Sequence, residues 1–479
     1  MPFINFEGRS VRRGVMLGVV ALSSVACSTN DILNVKDPAV ATPQSLQTKA
    51  GINTLYAGAI GDFAAAWNGN GLTDAFVPTV GIFTDEFRSS DTFTTRNDAD
   101  RRTQASPANG NLSDNSYIAL QKARRSTQVG AQLVTQYADS GAGDPRVAEL
   151  DALAGYTYLA FGEAFCGNVP IPPTTVSGEV FPAAGVGTQA LLDTAIARFN
   201  AAIAATGSRT TPVAVQNRNL AKVGLGRALL DQGKFTEALA AVAGVPVNFV
   251  YKVAYSSNTN REQNSLWNLN DSNKRYTLAD TEGINGLNFR SANDPRVLWR
   301  RFFDANGVSL GFDQTNIVYE QRLYSSADAD TPLADGVEAQ LIRAEALLKA
   351  GDATWLDSLN ALRANVTALE TARFDAYVTS TQSDSVTATT LAPLTDPGTP
   401  DARVDLLFRE RAFWLFATGH RLGDMRRLIR QYGRSANTVF PTGLWWKGGP
   451  YGNDVNLAIS FGESNNTAYN PAACVTTTP

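Results

Sequence analysis

Two stretches of this chain can only bury their apolar faces by folding back as helix pairs, and that requirement shapes everything around them. Residues 219–242 read NLAKVGLGRALLDQGKFTEALAAV. Leu225, Gly226 and Leu229 cluster on one helical face, Gly233 stands where a turn is needed, and Ala238 follows Gly226 by twelve residues. Small residues at those two points let antiparallel helices approach closely. Residues 337–364 repeat the plan: Val337, Leu341, Ala344 and Leu348 form a stripe, Gly351 turns, and Leu356, Leu359 and Leu362 return. One such pair cannot bury its face alone, so neighbours are required. The sequence supplies them through helical patterns at 46–63, 116–137, 146–165, 188–205 and 402–431.

The spacing at 219–242 is that of a tetratricopeptide repeat. The fold class expected is therefore mostly α, with tetratricopeptide-like helix pairs in an α-α superhelix. Long inserts interrupt the pairs at 64–114, 166–187, 244–335, 371–400 and 435–479, rich in Gly, Pro, Asn and aromatics. A few short strands are expected there, for example Asn248–Tyr255 and Asn316–Leu323. Inserts on a repeat scaffold are where binding concentrates. The charged fraction is 18% and the net charge -4, so the broad basic surface that nucleic acid requires is missing. One histidine and three cysteines exclude a His-rich or Cys₄ metal site; no metal and no cofactor is expected. Any catalytic triad would have to use His420.

The first residues carry an address. Arg9, Arg12 and Arg13 precede an apolar run from Val15 to Ala26, too short for a bilayer span of about 20 residues and right for a signal peptide. Ser23, Ser24 and Ala26 lead into Cys27, which resembles a bacterial lipobox. The domains expected are a lipoprotein signal peptide at 1–26, a polar tether at 27–45 and one helical-repeat domain at 46–479, with lipidation on Cys27. Cys166 and Cys474 then remain in an oxidising compartment and are expected to form a disulfide, the alternative being two free thiols.

Near the C-terminus the chain reads ERAFWLFATGHRLGDMRRL, residues 410–428. Its Gly419, His420, Arg421, Asp424, Arg426 and Arg427, with GEAFCGNVPIP at 162–172 and AEALLKAGD at 344–352, resemble the SusD/RagB family of nutrient-binding outer-membrane lipoproteins. The resemblance implies a protein on the outer face of the outer membrane that binds oligosaccharide or peptide. Such a protein passes its ligand to a SusC-like TonB-dependent transporter and has no catalytic activity. It touches the membrane through its lipid anchor only.

The 419–427 motif reads as a packing hub. Gly419 would cap the preceding helix, His420 and Arg421 would meet its carbonyl end, and Asp424 would pair with Arg421 or Arg427. Ligand contacts are expected from the inserts, where aromatic rings can stack on sugar faces and polar groups read hydroxyls: Arg88, Asp91, Phe93, Arg96, Trp267 and Asn270. Two other readings are a surface scaffold without a small ligand and a glycan hydrolase using acids such as Asp85, Glu86 and Asp91, which would need two carboxylates facing one bond. If Cys27 carries the anchor, Cys27→Ala releases the protein from membranes, because buried acyl chains at about 0.8 kcal/mol per CH₂ supply the attachment. Retention of that variant after a carbonate wash would refute the anchor.

Overall fold

The computed structural model describes residues 46–104, 111–177, 179, 181–301, 307, 309–375 and 390–479. The signal peptide, Cys27 and the tether lie outside the described residues. Helix dominates, as the periodicities require. The chain runs α1 (Ile52–Trp67), α2 (Phe76–Phe83), β1 (Phe87–Ser89), α3 (Thr94–Asp100), α4 (Ser113–Tyr137), α5 (Pro145–Ala164), β2 (Val169–Pro170), β3 (Gly185–Val186), α6 (Thr188–Thr206), α7 (Pro212–Asp231) and α8 (Phe235–Ala241). It continues through β4 (Val250–Val253), β5 (Tyr276–Leu278), β6 (Trp299–Arg301), β7 (Tyr319–Gln321), β8 (Thr331–Asp335), α9 (Gly336–Ala350), α10 (Trp355–Ala364), α11 (Val366–Arg373), α12 (Pro400–Trp414) and α13 (Arg421–Tyr432).

Local signals set the helix ends. The Asp144 carboxylate accepts from the Arg146 N–H at 3.0 Å, and Pro145 takes the first helical position, where its missing N–H costs nothing. Asp335 caps α9 by accepting from the Glu338 N–H at 2.7 Å, and Gly351 ends it with φ of 74°. Sequential helices then pack in order: α1 on α4, α4 on α5, α5 on α6, α6 on α7, α7 on α8. The second pair joins this array where α9 meets α7, α8 and α12. Gly155 and Gly224 leave room for Phe199: a Cβ on either would stand 2.7 or 2.4 Å from that ring. Gly226 does the same for Val242, at 2.6 Å.

Three cores result among the described residues. One gathers Phe63, Trp67, Phe76, Tyr156, Phe199 and Phe416; a second holds Val337, Leu341, Trp355, Leu359, Phe408 and Trp414; a small third joins Ile52, Ala59, Val134, Val147 and Leu150 of α1, α4 and α5. Among the described residues the strands pair as two-stranded antiparallel ribbons, β1–β5, β2–β3, β4–β8 and β6–β7. The first matters most here, since it sets Phe87 opposite Leu278 and Ser89 opposite Tyr276, joining two inserts.

The helical pattern at 402–431 divides into two helices, and the first ends at Trp414, short of the Gly419 expected to cap it. The chain leaves the helix at Leu415 and passes through Ala417 and Gly419 with φ of 59° and 84°. Tertiary partners hold that turn. The Ala417 N–H donates to Glu86 at 2.9 Å, the Tyr324 hydroxyl to the Ala417 carbonyl at 3.0 Å, and Arg373 to the Trp414 carbonyl at 2.7 Å. Phe416 therefore packs from the turn.

Cys166 and Cys474 are bonded, with Cα atoms 5.2 Å apart across 308 residues of sequence. Around them the Cys166 N–H donates to the Leu457 carbonyl at 3.0 Å, and Asn168 donates to the Asn470 carbonyl at 2.7 Å. The bridge staples the C-terminal tail to the end of α5. Chain entropy sets an upper bound on the order of 5 kcal/mol for closing so long a loop, with about 2–4 kcal/mol typical. Mass spectrometry of unreduced peptides should find the two segments linked, and reduction should lower the melting temperature. Free thiols at both positions would refute the bridge.

Candidate functional site

Three inserts meet at one surface, and their aromatic rings rest on a polar base. Asp91, in the segment between β1 and α3, is its centre. Its carboxylate accepts from Arg96 at 2.6 Å, from Arg275 at 2.9 Å, and from the N–H groups of Thr92 and Phe93 at 2.6 and 3.2 Å. Burial would raise this carboxyl, but Arg275 and Arg96 overcome that and hold it below the usual range. Arg96 is in turn clamped by Asp74, which also accepts from the Tyr276 hydroxyl.

On this base stand the rings. The Arg275 guanidinium lies 3.7 Å from the Phe312 ring centroid and 4.8 Å from that of Phe93. Both rings are open to solvent, at 42% and 52% exposure. Lys447 comes from the third insert. It donates to the Asp91 carbonyl at 2.7 Å and to Asn97 at 2.9 Å, and pairs with Asp313 at 3.1 Å. Beside it the Trp446 indole donates to Asp100 at 2.9 Å, with Arg88 4.6 Å over its ring. Burial pushes Asp100 up to about 7. The arrangement offers half-exposed rings and cations to a ligand. The described residues contain no cluster of three His, Cys, Asp or Glu placed to hold a metal.

The expected ligand residues divide. Phe93 and Arg88 belong to this face. Asp91, Arg96 and Asn270 are corrected from ligand contacts to supports, since all three are buried and use their polar atoms internally. Asn270 donates to the Tyr276 and Tyr319 carbonyls and accepts from the Gln321 N–H at 2.7 Å. Trp267 is half-buried against the main core. Sequence reasoning missed Arg275, Phe312 and Lys447 as site residues. Only the aromatic content of the inserts pointed toward them.

The 419–427 motif is a buried hub, with two corrections. Gly419 is not the cap of α12, which is capped at Leu415; it lies in the turn beyond. His420 and Arg421 lie at the amino end of α13, away from the carbonyl end of α12, because the chain turns at 415–420. Arg421 opposes the helix dipole there, and Asp85 offsets this by taking it bidentately at 2.6 and 2.9 Å. Of the two partners expected for Asp424, Arg427 is the one that donates to it, at 2.7 Å; Arg411 joins it at 2.8 Å, and Arg421 pairs with Asp85. Arg426 donates to the Gly162 and Phe165 carbonyls at the end of α5. His420 Nε2 faces Arg227 at 2.8 Å; an arginine can only donate, so that nitrogen accepts and Nδ1 carries the proton toward Thr418. Burial, with Arg227 alongside, holds the imidazole neutral. Asp85, Glu86 and Asp91 are each buried and separately engaged, so they do not face one cleft.

No family model and no curated protein matches this sequence. Solved structures do. A SusD/RagB family protein from Bacteroides thetaiotaomicron aligns with a TM-score of 0.56 at 13% identity, over 79% of this chain and 88% of its own. A SusD-like carbohydrate binding protein from Bacteroides fragilis gives 0.56 at 14% identity, over 85% and 95%. A laminarin-binding SusD-like protein gives 0.51 at 15%, over 87% and 98%. The chain has the SusD/RagB fold, as the 410–428 motif implied.

The hub has a pH signature. Burial raises Glu86 to about 8 from 4.5, and Glu338 and Glu370 to about 7. A folded state that keeps a proton the unfolded chain gives up is most stable below the unfolded value. Stability should therefore fall as pH rises from about 4.5 to about 8. Glu86→Gln should flatten this slope in denaturant titrations, and an unchanged slope would refute the assignment. Asp424→Asn, which removes the buried carboxylate that Arg411 and Arg427 share, should cost about 3–5 kcal/mol.

Proposed function

We propose that this chain is a cell-surface binding lipoprotein that captures an oligosaccharide and delivers it to a SusC-like TonB-dependent outer-membrane transporter. The observation that carries this reading is the insert face: Phe93, Phe312 and Trp446, drawn from three separate segments, stand over Arg275, Lys447 and Arg88. Sugar rings have flat CH faces that stack on such rings, while cations and amides bond the hydroxyls. The shared fold supports it, since similar structures include carbohydrate-binding and laminarin-binding proteins. On this reading the protein binds and hands over its ligand without altering it. The lipid on Cys27 holds it at the outer membrane, and the helix-pair array offers the transporter an extended surface.

A glycan array probed with the lipid-free mature protein identifies the ligand. Phe93→Ala and Phe312→Ala should each weaken its binding by about 1–3 kcal/mol, the range of aromatic anchors, with little change in melting temperature because both rings are half-exposed. Full affinity in both variants would move the site elsewhere. Co-purification of a large plugged barrel with the tagged lipoprotein tests the partner.

A further inference from the structure

Buried arginines in this protein are answered by carboxylates: Arg96 by Asp74 and Asp91, Arg227 by Glu163, Arg296 by Glu410, Arg373 by Asp335, and Arg411 by Asp424. Arg124, midway along α4 and 4% exposed, is answered differently. Its Nε donates to Gln121 Oε1 at 2.9 Å, one terminal nitrogen to Gln128 Oε1 at 3.2 Å and Thr174 Oγ1 at 3.1 Å, and the other to the Pro172 carbonyl at 3.1 Å. All four acceptors are neutral. No carboxylate of the described residues stands within 4.0 Å of it. Arg102 and Arg426 also lack one. Arg102 has backbone carbonyls beside it and aromatic rings beneath it. Arg426 meets the carbonyl end of α5, where a cation is favoured. Arg124, with one backbone carbonyl and the Tyr158 ring centroid 6.0 Å away, differs from both in lining a cavity.

That cavity has a volume of about 550 Å³ and runs between α4, α5 and the 171–174 segment; a second, of about 280 Å³, shares Arg124, Pro172 and Pro173 with it. The first lies in the range of small-molecule sites. Two donors in it are unspent. Four of the five N–H bonds of Arg124 are used, which leaves one. The other is the Tyr158 hydroxyl. Arginine can only donate, so the Gln128 carbonyl oxygen must face Arg124 and its NH₂ must face Tyr158. The Tyr158 oxygen therefore accepts at 3.0 Å and keeps its own proton. Thr174 spends its proton on Gln128 Oε1 at 2.6 Å. The remaining cation of the first cavity, Arg198, is engaged by Asp151 at 3.1 Å. Ile171, Pro172, Pro173 and Val147 supply apolar wall.

We propose that this cavity binds the carboxylate of a small organic acid, taken by the free N–H of Arg124 and the Tyr158 hydroxyl, with the body of the acid against the proline wall. A buried guanidinium without a counter-charge is costly, and a ligand that brings one removes that cost. Two spare donors suit a monoanion; a phosphate, with three oxygens to satisfy, would need more. This site uses none of the residues of the aromatic face and stands or falls separately from it.

Calorimetric titration of the lipid-free mature protein with benzoate and glucuronate, against benzyl alcohol and glucose as uncharged counterparts, tests the proposal and separates an aromatic acid from a sugar acid. At least one acid should bind where its counterpart does not. Tyr158→Phe and Arg124→Gln should each weaken it about tenfold, in keeping with hydrogen bonds to charged groups. Gln132→Trp, at an exposed helix position on the rim, should block it, and Phe93→Ala should leave it unchanged. If Arg124→Gln does not fold, Tyr158→Phe and Gln132→Trp decide the matter. Binding by neither acid, equal binding of the uncharged compounds, or unaltered binding in Gln132→Trp would overturn the site.

Discussion

Asp424 holds the two halves of the molecule in register. Its carboxylate sits between Arg411 of α12 and Arg427 of α13, so a residue one turn into α13 closes the break after Trp414. Burial alone would push this carboxyl up, and the two guanidiniums overcome it and hold it well below the carboxylate range. From Arg427 the network reaches Glu345 of α9 and Asp231 of α7. Four helices from three separate parts of the chain thus share one buried cluster. Arg421, three residues before Asp424, extends the cluster to Asp85, and Asp85 also accepts the Leu287 N–H at 2.8 Å. The inserts are tied to the repeats through the same few side chains.

Such a network is a poor source of net stability, because desolvating each ion offsets most of its attraction to the next. Its value here lies in geometry. Apolar helix faces tolerate small slides; a bidentate guanidinium on a carboxylate does not. A shifted α13 would strand Arg427 and Arg421 together, each at the cost of an unpaired buried charge. The hub also explains the strained backbone beside it. Ala417 adopts a left-handed conformation that costs about 1–2 kcal/mol for a residue with a Cβ. The Glu86 carboxyl and the Tyr324 hydroxyl bond both sides of that residue and keep it there.

Much of this fold was legible in the sequence because helix pairs are local objects. The Gly226 and Ala238 spacing, the turns at Gly233 and Gly351, and the stripe of Val337, Leu341 and Ala344 each report contacts within about forty residues. The break near 415–420 was legible only through Gly419, which placed it too late. Nothing in WLFA ends the helix at Trp414 until Glu86, Tyr324 and Arg373 arrive from 41 or more residues away to satisfy the carbonyls and N–H groups of the turn. Misplacing that turn also placed His420 and Arg421 at the wrong helix end. The site was half legible for a related reason. Phe93 and Arg88 could be chosen by residue type. Asp91 and Arg96 are of the same types a sugar would use, and only burial reveals that they face each other. Arg275 stands just before β5 and Phe312 between β6 and β7, joined where the Phe312 N–H donates to the Lys274 carbonyl, a pairing that no local pattern announces.

On the proposed reading, the supports are what make the aromatic face usable for binding. An exposed phenylalanine on a loop would lose rotamer and backbone freedom when a ligand settled on it, and that loss would be taken from the affinity. Phe93 has already lost it. Its N–H is bonded to Asp91, its ring rests on Arg275, and Asp91 is fixed by Arg96, whose own place is set by Asp74. Phe312 shares the same guanidinium, and the Phe312 N–H donates to the Lys274 carbonyl at 2.9 Å. The cost of ordering the face is thus met at folding, by buried ion pairs that no ligand touches. Substitutions at Asp91 or Arg96 would reach affinity indirectly, by loosening the rings, and would lower stability as they did so. Substitutions at the rings would reach affinity alone. This separation of roles follows from burial: Asp91 and Arg96, buried and paired, set the positions of the exposed rings above them.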